Sequence, residues 1–148
     1  MGVLWLAASE THLAHIQFCN SRTKVNHEHS TPLLKEAADQ LGVYFSGSLT
    51  QFDLPLSLSG TLFQQQVQQQ LCKLPFGSTI SYKTLAINMG KPQAARAVGA
   101  ACKKNSLLIV IPCHRVISSS GQLTGFAAGI DRKQQLLALE AKRIKSTH

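Results

Sequence analysis

The residues best suited to chemistry sit in one short run, Ile111-Pro112-Cys113-His114-Arg115-Val116. A cysteine is a strong nucleophile as a thiolate, and a neighbouring cation or base promotes that form. On an extended chain consecutive side chains point opposite ways, so His114 need not touch the Cys113 sulfur directly, and a water between them could carry the proton. A histidine in that role is oriented by a carboxylate, and Glu140, on a downstream helix, is the best-placed acid. Taken alone, a Cys-His pair is more often a buried structural thiol beside a surface histidine. The other cysteines, Cys19, Cys72 and Cys102, form no CxxC pair and no zinc-finger spacing. They read as thiols of a reducing compartment, and a cytoplasmic location is expected. Cys19 with His27 and His29 is the one candidate metal group; it lacks a suitably placed second cysteine, so no metal is expected.

The elements that must hold these residues follow from periodicity and punctuation. Val3–Ala8 reads as a buried strand and His12–Phe18 as its hairpin partner, joined through Ser9-Glu10-Thr11. Thr31 and Pro32 open a helix with Leu33, Leu34, Ala37, Ala38 and Leu41 on its apolar face, ended by Gly42. One more short strand fits within Val43–Asp53, and Leu54–Gly60 reads as a linker. Phe63, Val67, Leu71 and Leu74 then recur at helical spacing, with the intervening glutamines on the solvent face and Pro75-Phe76-Gly77 as the stop.

Ser81 caps a short helix ending at Gly90, and Pro92 opens a second one reaching Cys102; the pair makes a helix-turn-helix. This second helix carries Ala94, Ala95, Ala97, Gly99, Ala100 and Ala101, so little side-chain bulk keeps it from another surface. Leu107–Ile111 reads as a strand delivering Cys113. Asp131 caps a last helix with Leu136, Leu137, Leu139 and Ile144 on its apolar side. Two domains are expected, a small α/β unit over residues 1–56 and a mainly helical unit over 57–148.

The 148 residues carry 15 Lys and Arg against 7 Asp and Glu, a formal net charge of +8. Such a surplus points to a polyanionic partner, nucleic acid first, over general solubility alone. No apolar run approaches a membrane span, so no membrane partner is expected.

From Gly60 to Ile144 the chain resembles the C-terminal domain of the O6-alkylguanine–DNA alkyltransferases. The matching runs are Gly60–Val67, Ile80-Ser81-Tyr82 with Leu85-Ala86, Ala94–Gly99, Asn105, and Ile111–Ile117 with its specific Pro-Cys-His-Arg-Val core. The N-terminal part resembles the family's variable, RNase-H-like domain more weakly. The resemblance implies an α/β (α+β) fold, with a small RNase-H-like N-terminal domain and a helical C-terminal domain carrying a helix-turn-helix. It also implies direct-reversal repair of O6-methylguanine, and of O4-methylthymine, in double-stranded DNA. The alkyl group passes irreversibly to Cys113 in a single turnover, without a cofactor, and the protein acts as a monomer.

The implied roles follow position by position. His114 acts as base through a water, oriented by Glu140. Tyr82 donates a proton toward the departing guanine, and Asn105 holds the turn. Arg96 fills the space of the flipped nucleotide, while Ala94, Ala95, Ala97 and Gly99 press into the minor groove beside Tyr82. Lys133 sits at the pocket rim with Phe126, Ala127 and Ala128. Taken singly these residues are blander: Tyr82 reads as helix packing, Asn105 as a turn residue, and Arg96, Lys133 and Glu140 as solvated charges.

Phe126–Gly129 departs from the family pattern, which often has Tyr at the first position and Gly at the third. Phe126 offers no oxygen donor and Ala128 narrows the pocket, which weighs against bulky adducts more than against methyl. Gln68 stands where relatives often carry Trp, a packing difference. Three rival readings fit the sequence less well. A catalytically inert alkyltransferase-like binder of damaged guanine would lack the reactive cysteine. A Cys-His-Glu hydrolase would leave the helix-turn-helix unexplained. A helix-turn-helix transcription factor should carry more base-reading side chains than Gln93 and Arg96.

Overall fold

The computed structural model describes residues 2–19, 31–123, 126 and 128–146. His27, His29 and Ala127 lie outside them, and with the two histidines the metal group weighed above. The chain begins with an antiparallel hairpin, β1 (Leu4–Ala8) and β2 (Leu13–Phe18), with Leu6 opposite Ile16. The Ser9 hydroxyl accepts the backbone N–H groups of Thr11 and His12 and so closes the turn.

Helix α1 (Pro32–Phe45) starts as its sequence dictates: Pro32 is at the first position and the Thr31 hydroxyl accepts from the Leu34 N–H. Gly42 does not end it. The helix continues to Phe45, and the positive φ of +83° falls at Gly47. The reason is Tyr44, fully buried against Phe45, Phe52 and Phe76. Burying such a ring outweighs the roughly 1 kcal/mol that a glycine costs inside a helix. The strand expected within Val43–Asp53 therefore gives way to one more helical turn and a loop, and Ala38 faces solvent.

Leu54–Gly60 is more than a linker. Leu56 forms a parallel bridge with Leu13; the Leu13 N–H donates to the Pro55 carbonyl at 2.8 Å and the Ser57 N–H to the Leu13 carbonyl at 2.8 Å. Phe52, Leu54, Leu56 and Leu58 turn inward at a period of two against the core.

Helix α2 (Leu62–Leu71) opens on a reciprocal capping box between Thr61 and Gln64. Its glutamines do not all face solvent: Gln69 is exposed and the others partly so, with one exception. Gln68 is buried and donates to the Ser59 carbonyl, and Gln65 donates to the Gly60 carbonyl. They tie the helix to the chain leading into it.

Strands β3 (Ile80–Ser81) and β4 (Val116–Ile117) pair in parallel, with Ile80 opposite Val116. Helix α3 (Tyr82–Asn88) is capped by Ser81, and Gly90 at φ +74° makes the turn toward α4 (Ala95–Lys103). Pro92 does not open α4. It sits in a turn closed by the Ala94 N–H on the Lys91 carbonyl, and the helix begins at Ala95. Helix α5 (Ile130–Ser146) likewise starts one residue before Asp131, which lies in the first turn and not at the cap.

One hydrophobic cluster joins all of this, from Leu13, Ile16, Leu41 and Tyr44 to Leu71, Leu85, Val98, Leu107 and Leu136. The fold is mixed α/β, with the hairpin and α1 packed on a helical remainder.

Candidate active site

The run before Cys113 is a chain of turns, not the expected strand. Asn105 shapes it: its Oδ1 accepts the Leu107 N–H at 2.9 Å and its Nδ2 donates to the Ile111 carbonyl at 2.8 Å. From outside, β2 grips the same segment, for the Ile16 N–H donates to the Ser106 carbonyl and the Leu108 N–H to the Ile16 carbonyl. Between these anchors Ile109 is held at φ +75°, a left-handed conformation that costs a β-branched residue about 1–2 kcal/mol. Cys113–Arg115 then forms one turn of 3-10 helix, so Cys113 and His114 are not on an extended chain.

Cys113 is 2% exposed, and its Sγ accepts from Asn105 Nδ2 at 3.1 Å. Burial pushes the thiol up to about 11, against the lowering effects of that hydrogen bond and of Lys133. At rest the sulfur is therefore protonated, and its use as a nucleophile requires a base. Asn105 thus does more than shape the turn: its amide touches the sulfur directly.

Glu140 is 0% exposed and accepts five hydrogen bonds. Its Oε2 accepts from His114 Nε2 at 2.6 Å, Tyr44 Oη at 2.6 Å and Arg115 Nη2 at 3.0 Å. Its Oε1 accepts from Arg115 Nε at 2.8 Å and the Gly77 N–H at 3.0 Å. Burial alone would raise this carboxyl; the His114 and Arg115 hydrogen bonds and charges override it and hold Glu140 down at about 2. His114 is lowered, first by burial, then by Arg115 and Lys133, against the pull of Glu140. A neutral His114 with its proton on Nε2 fits this arrangement. Its Nδ1 is buried and has no hydrogen-bond partner among the described residues.

The parallel β3–β4 pair places Tyr82, at the start of α3, beside the chain leaving Cys113. Lys133 is also there, fully buried, not solvated. Its Nζ donates to the Val116 carbonyl at 2.5 Å and to Tyr82 Oη at 3.3 Å. Burial lowers this ammonium, while the nearby cysteines favour its charge. Lys133, Leu136 and Glu140 share the buried stripe of α5, so one helix face supplies both a cation and an anion to the site. Phe126 is buried with its ring edge-on to His114 at 6.5 Å, and Ala128 is packed against the core.

The helix-turn-helix lies on the open side. Val98, Ala101 and Cys102 bury one face of α4, while Arg96, Ala97 and Ala100 are exposed and Ala94, Ala95 and Gly99 half-buried. A groove of about 450 Å³ runs along this face, lined by Tyr82, Lys83, Ala95, Arg96, Gly99 and Lys103 among others. The structure thus brings Cys113, His114, Glu140, Asn105, Tyr82 and Lys133 to one place, with Arg96 at its outer rim. Sequence reasoning missed Tyr44 and Arg115 as partners of Glu140. Tyr44 sits on the stripe of Ala37 and Leu41, the one polar head on that face; Arg115 is a charge within an otherwise buried run.

A buried thiol backed by a His–Glu pair, beneath a helix-turn-helix with a nearly bare second helix, defines a thiol-bearing nucleic-acid-binding class of protein. Comparison with known proteins gives the class its family. The ribonuclease-like domain of 6-O-methylguanine DNA methyltransferase matches residues 1–58, and the DNA-binding domain of that family matches residues 62–142. A methylated-DNA–protein-cysteine methyltransferase of Methanosarcina barkeri is 44% identical, covering 98% of this chain and 94% of its own. The same-named protein of Mycobacterium tuberculosis is 44% identical over 97% of this chain and 88% of its own. Among solved structures, Mycobacterium tuberculosis OGT in complex with DNA superposes with a TM-score of 0.85 at 45% identity, covering 95% of this chain and 87% of that one. The chain belongs to the 6-O-methylguanine DNA methyltransferase family.

Proposed function

We propose that this chain repairs O6-methylguanine in duplex DNA by moving the methyl group onto Cys113. The observation that carries this reading is the Cys113 sulfur, held by Asn105 and backed by the buried His114–Glu140 pair. The O6 atom of a paired guanine is inside the stack, so the base must leave the duplex to reach it. Arg96, exposed on α4, is long, planar and cationic enough to occupy the space left behind. The exposed Ala97 and Ala100 let the helix backbone come close to a minor groove.

Each group then has one task. His114 Nδ1 takes the Cys113 proton, through a water, while Glu140 keeps the other ring proton on Nε2. The sulfur attacks the methyl carbon in line; the S–C bond forms as the C–O6 bond breaks. The departing guanine anion takes a proton from Tyr82, and the phenolate faces the Lys133 ammonium. The product is a thioether, which water does not readily cleave, so each molecule acts once and needs no cofactor. The same in-line transfer would apply to O4-methylthymine, whose methyl group is also carried on an oxygen attached to an aromatic ring. The chain works as a cytoplasmic monomer, with residues 1–56 packed on 57–148 through the shared core; among the described residues no helix is long and apolar enough to cross a membrane.

The test is intact mass after mixing with a duplex carrying O6-methylguanine. The protein gains one methyl group, mapped to Cys113 and absent from Cys19, Cys72 and Cys102, and Cys113→Ser gains none. Tight binding without a mass change would favour an inert binder, and turnover beyond one equivalent would sink the single-use mechanism.

A further inference from the structure

Tyr44 lies on α1, far along the chain from Cys113, yet its hydroxyl reaches the innermost part of the site. It donates to Glu140 Oε2 at 2.6 Å, the same oxygen that holds His114 Nε2 at 2.6 Å. Two short hydrogen bonds, and a longer one from Arg115 Nη2 at 3.0 Å, therefore divide one carboxylate oxygen. Tyr44 is fully buried, and its phenol stays protonated because burial and the adjacent carboxylate both raise it far above its ordinary value. It can only donate here.

We propose that Tyr44 is a positioning residue for alkyl transfer: by sharing Glu140 Oε2 with His114, it sets how strongly His114 draws the Cys113 proton. The inference rests on the reading of His114 as the base. A carboxylate oxygen that gives part of its charge to a phenol attracts the imidazole proton less, so His114 remains unprotonated and ready to accept. Without the hydroxyl the carboxylate pulls harder and His114 is more readily protonated. The other groups facing His114 do not replace this effect. Arg115, from its own turn, and Lys133, from α5, oppose protonation of the ring, Glu140 favours it, and Phe126 presents only a ring edge. Through Tyr44 the N-terminal part of the chain takes part in the chemistry.

The experiment is the pH profile of the single-turnover transfer rate on an O6-methylguanine duplex. Tyr44→Phe keeps the ring and its packing and removes only the donor. Its acidic limb should move up by about half to one pH unit, while the rate on the alkaline plateau stays within about twofold. A fluorinated tyrosine placed at position 44, a stronger donor of the same shape, should move the limb the opposite way. Phe52→Leu, which loosens the packing around Tyr44 and spares the hydroxyl, should lower Tm and leave the limb in place. Superimposable profiles for wild type, Tyr44→Phe and the fluorinated protein would overturn the proposal. His114→Gln separates this from failure of the underlying reading. If it abolishes the limb while Tyr44→Phe does not move it, only the role of Tyr44 falls; if it keeps the wild-type limb, His114 is not the base and both fall.

Discussion

The two faces of the site are built on opposite principles. Behind Cys113, His114, Arg115, Lys133 and Glu140 are buried, and Glu140 alone accepts five hydrogen bonds. In front, α4 offers alanines, a glycine and Arg96, with no side-chain hydrogen bond at its N-cap. A buried charge is stable only when its partners are in place, so the rear face is rigid and intolerant of change. A bare helix has little side-chain bulk to displace, so the front face is free to meet a surface that is not part of the protein. The sulfur itself is buried on the rear side, at 2% exposed, while Tyr82 lines the groove along α4 and so joins the two faces.

The comparison can be broken most severely at its centre. Glu140→Ala would leave Arg115 charged and buried, and His114, Tyr44 and the Gly77 N–H without their acceptor. It should cost about 3–5 kcal/mol in urea unfolding and abolish transfer; a loss under about 1 kcal/mol would mean that the rear face is not the rigid part. Acid should weaken the same network more gently. Both Glu140, held at about 2, and His114, held below 6.5, bind protons more readily in the unfolded chain. Stability should therefore fall with pH, first as His114 takes up its proton below 6.5 and then from the ordinary carboxyl range near 4.5 down to about 2. Glu140→Gln should flatten the lower part of that curve, and an unchanged slope there would contradict the depressed carboxyl.

The front face should respond in function and not in folding. Arg96→Ala should slow duplex repair about 30-fold, the equivalent of about 2 kcal/mol, with little effect on reaction with free O6-benzylguanine. Equal losses on both substrates would remove Arg96 from the flipping role. Ala97→Leu should have the smallest effect, weakening duplex binding about tenfold with stability within about 0.5 kcal/mol of wild type. A drop in stability with unchanged binding would show that the bareness of α4 serves packing instead.

Much of the architecture was legible residue by residue. The hairpin, the Thr31 and Ser81 caps and the helix-turn-helix depend on local signals, and each formed near its expected place. The misreadings share one cause. Gly42 as a helix end, the strand over Leu107–Ile111, a solvent-facing Gln68 and a solvated Lys133 all follow from local preference. Each was overruled by a contact that single-residue preference does not show: the aromatic pocket around Tyr44, the grip of β2 and Asn105 on the run before Cys113, the Gln68 hydrogen bond to Ser59, and the carbonyl of Val116.

At the site itself, the sequence alone determined the candidate nucleophile and its family context, because Pro112-Cys113-His114-Arg115-Val116 is contiguous and its supporting residues keep a recognisable order. Only the tertiary structure decided the electrostatics. Whether the thiol rests protonated, which oxygen of Glu140 holds His114, and that Tyr44 and Arg115 share that carboxylate all depend on burial and on distances of a few ångströms between residues far apart in the chain. Hydrogen bonds and desolvation act over such distances in space, and nothing in the linear order of residues encodes them.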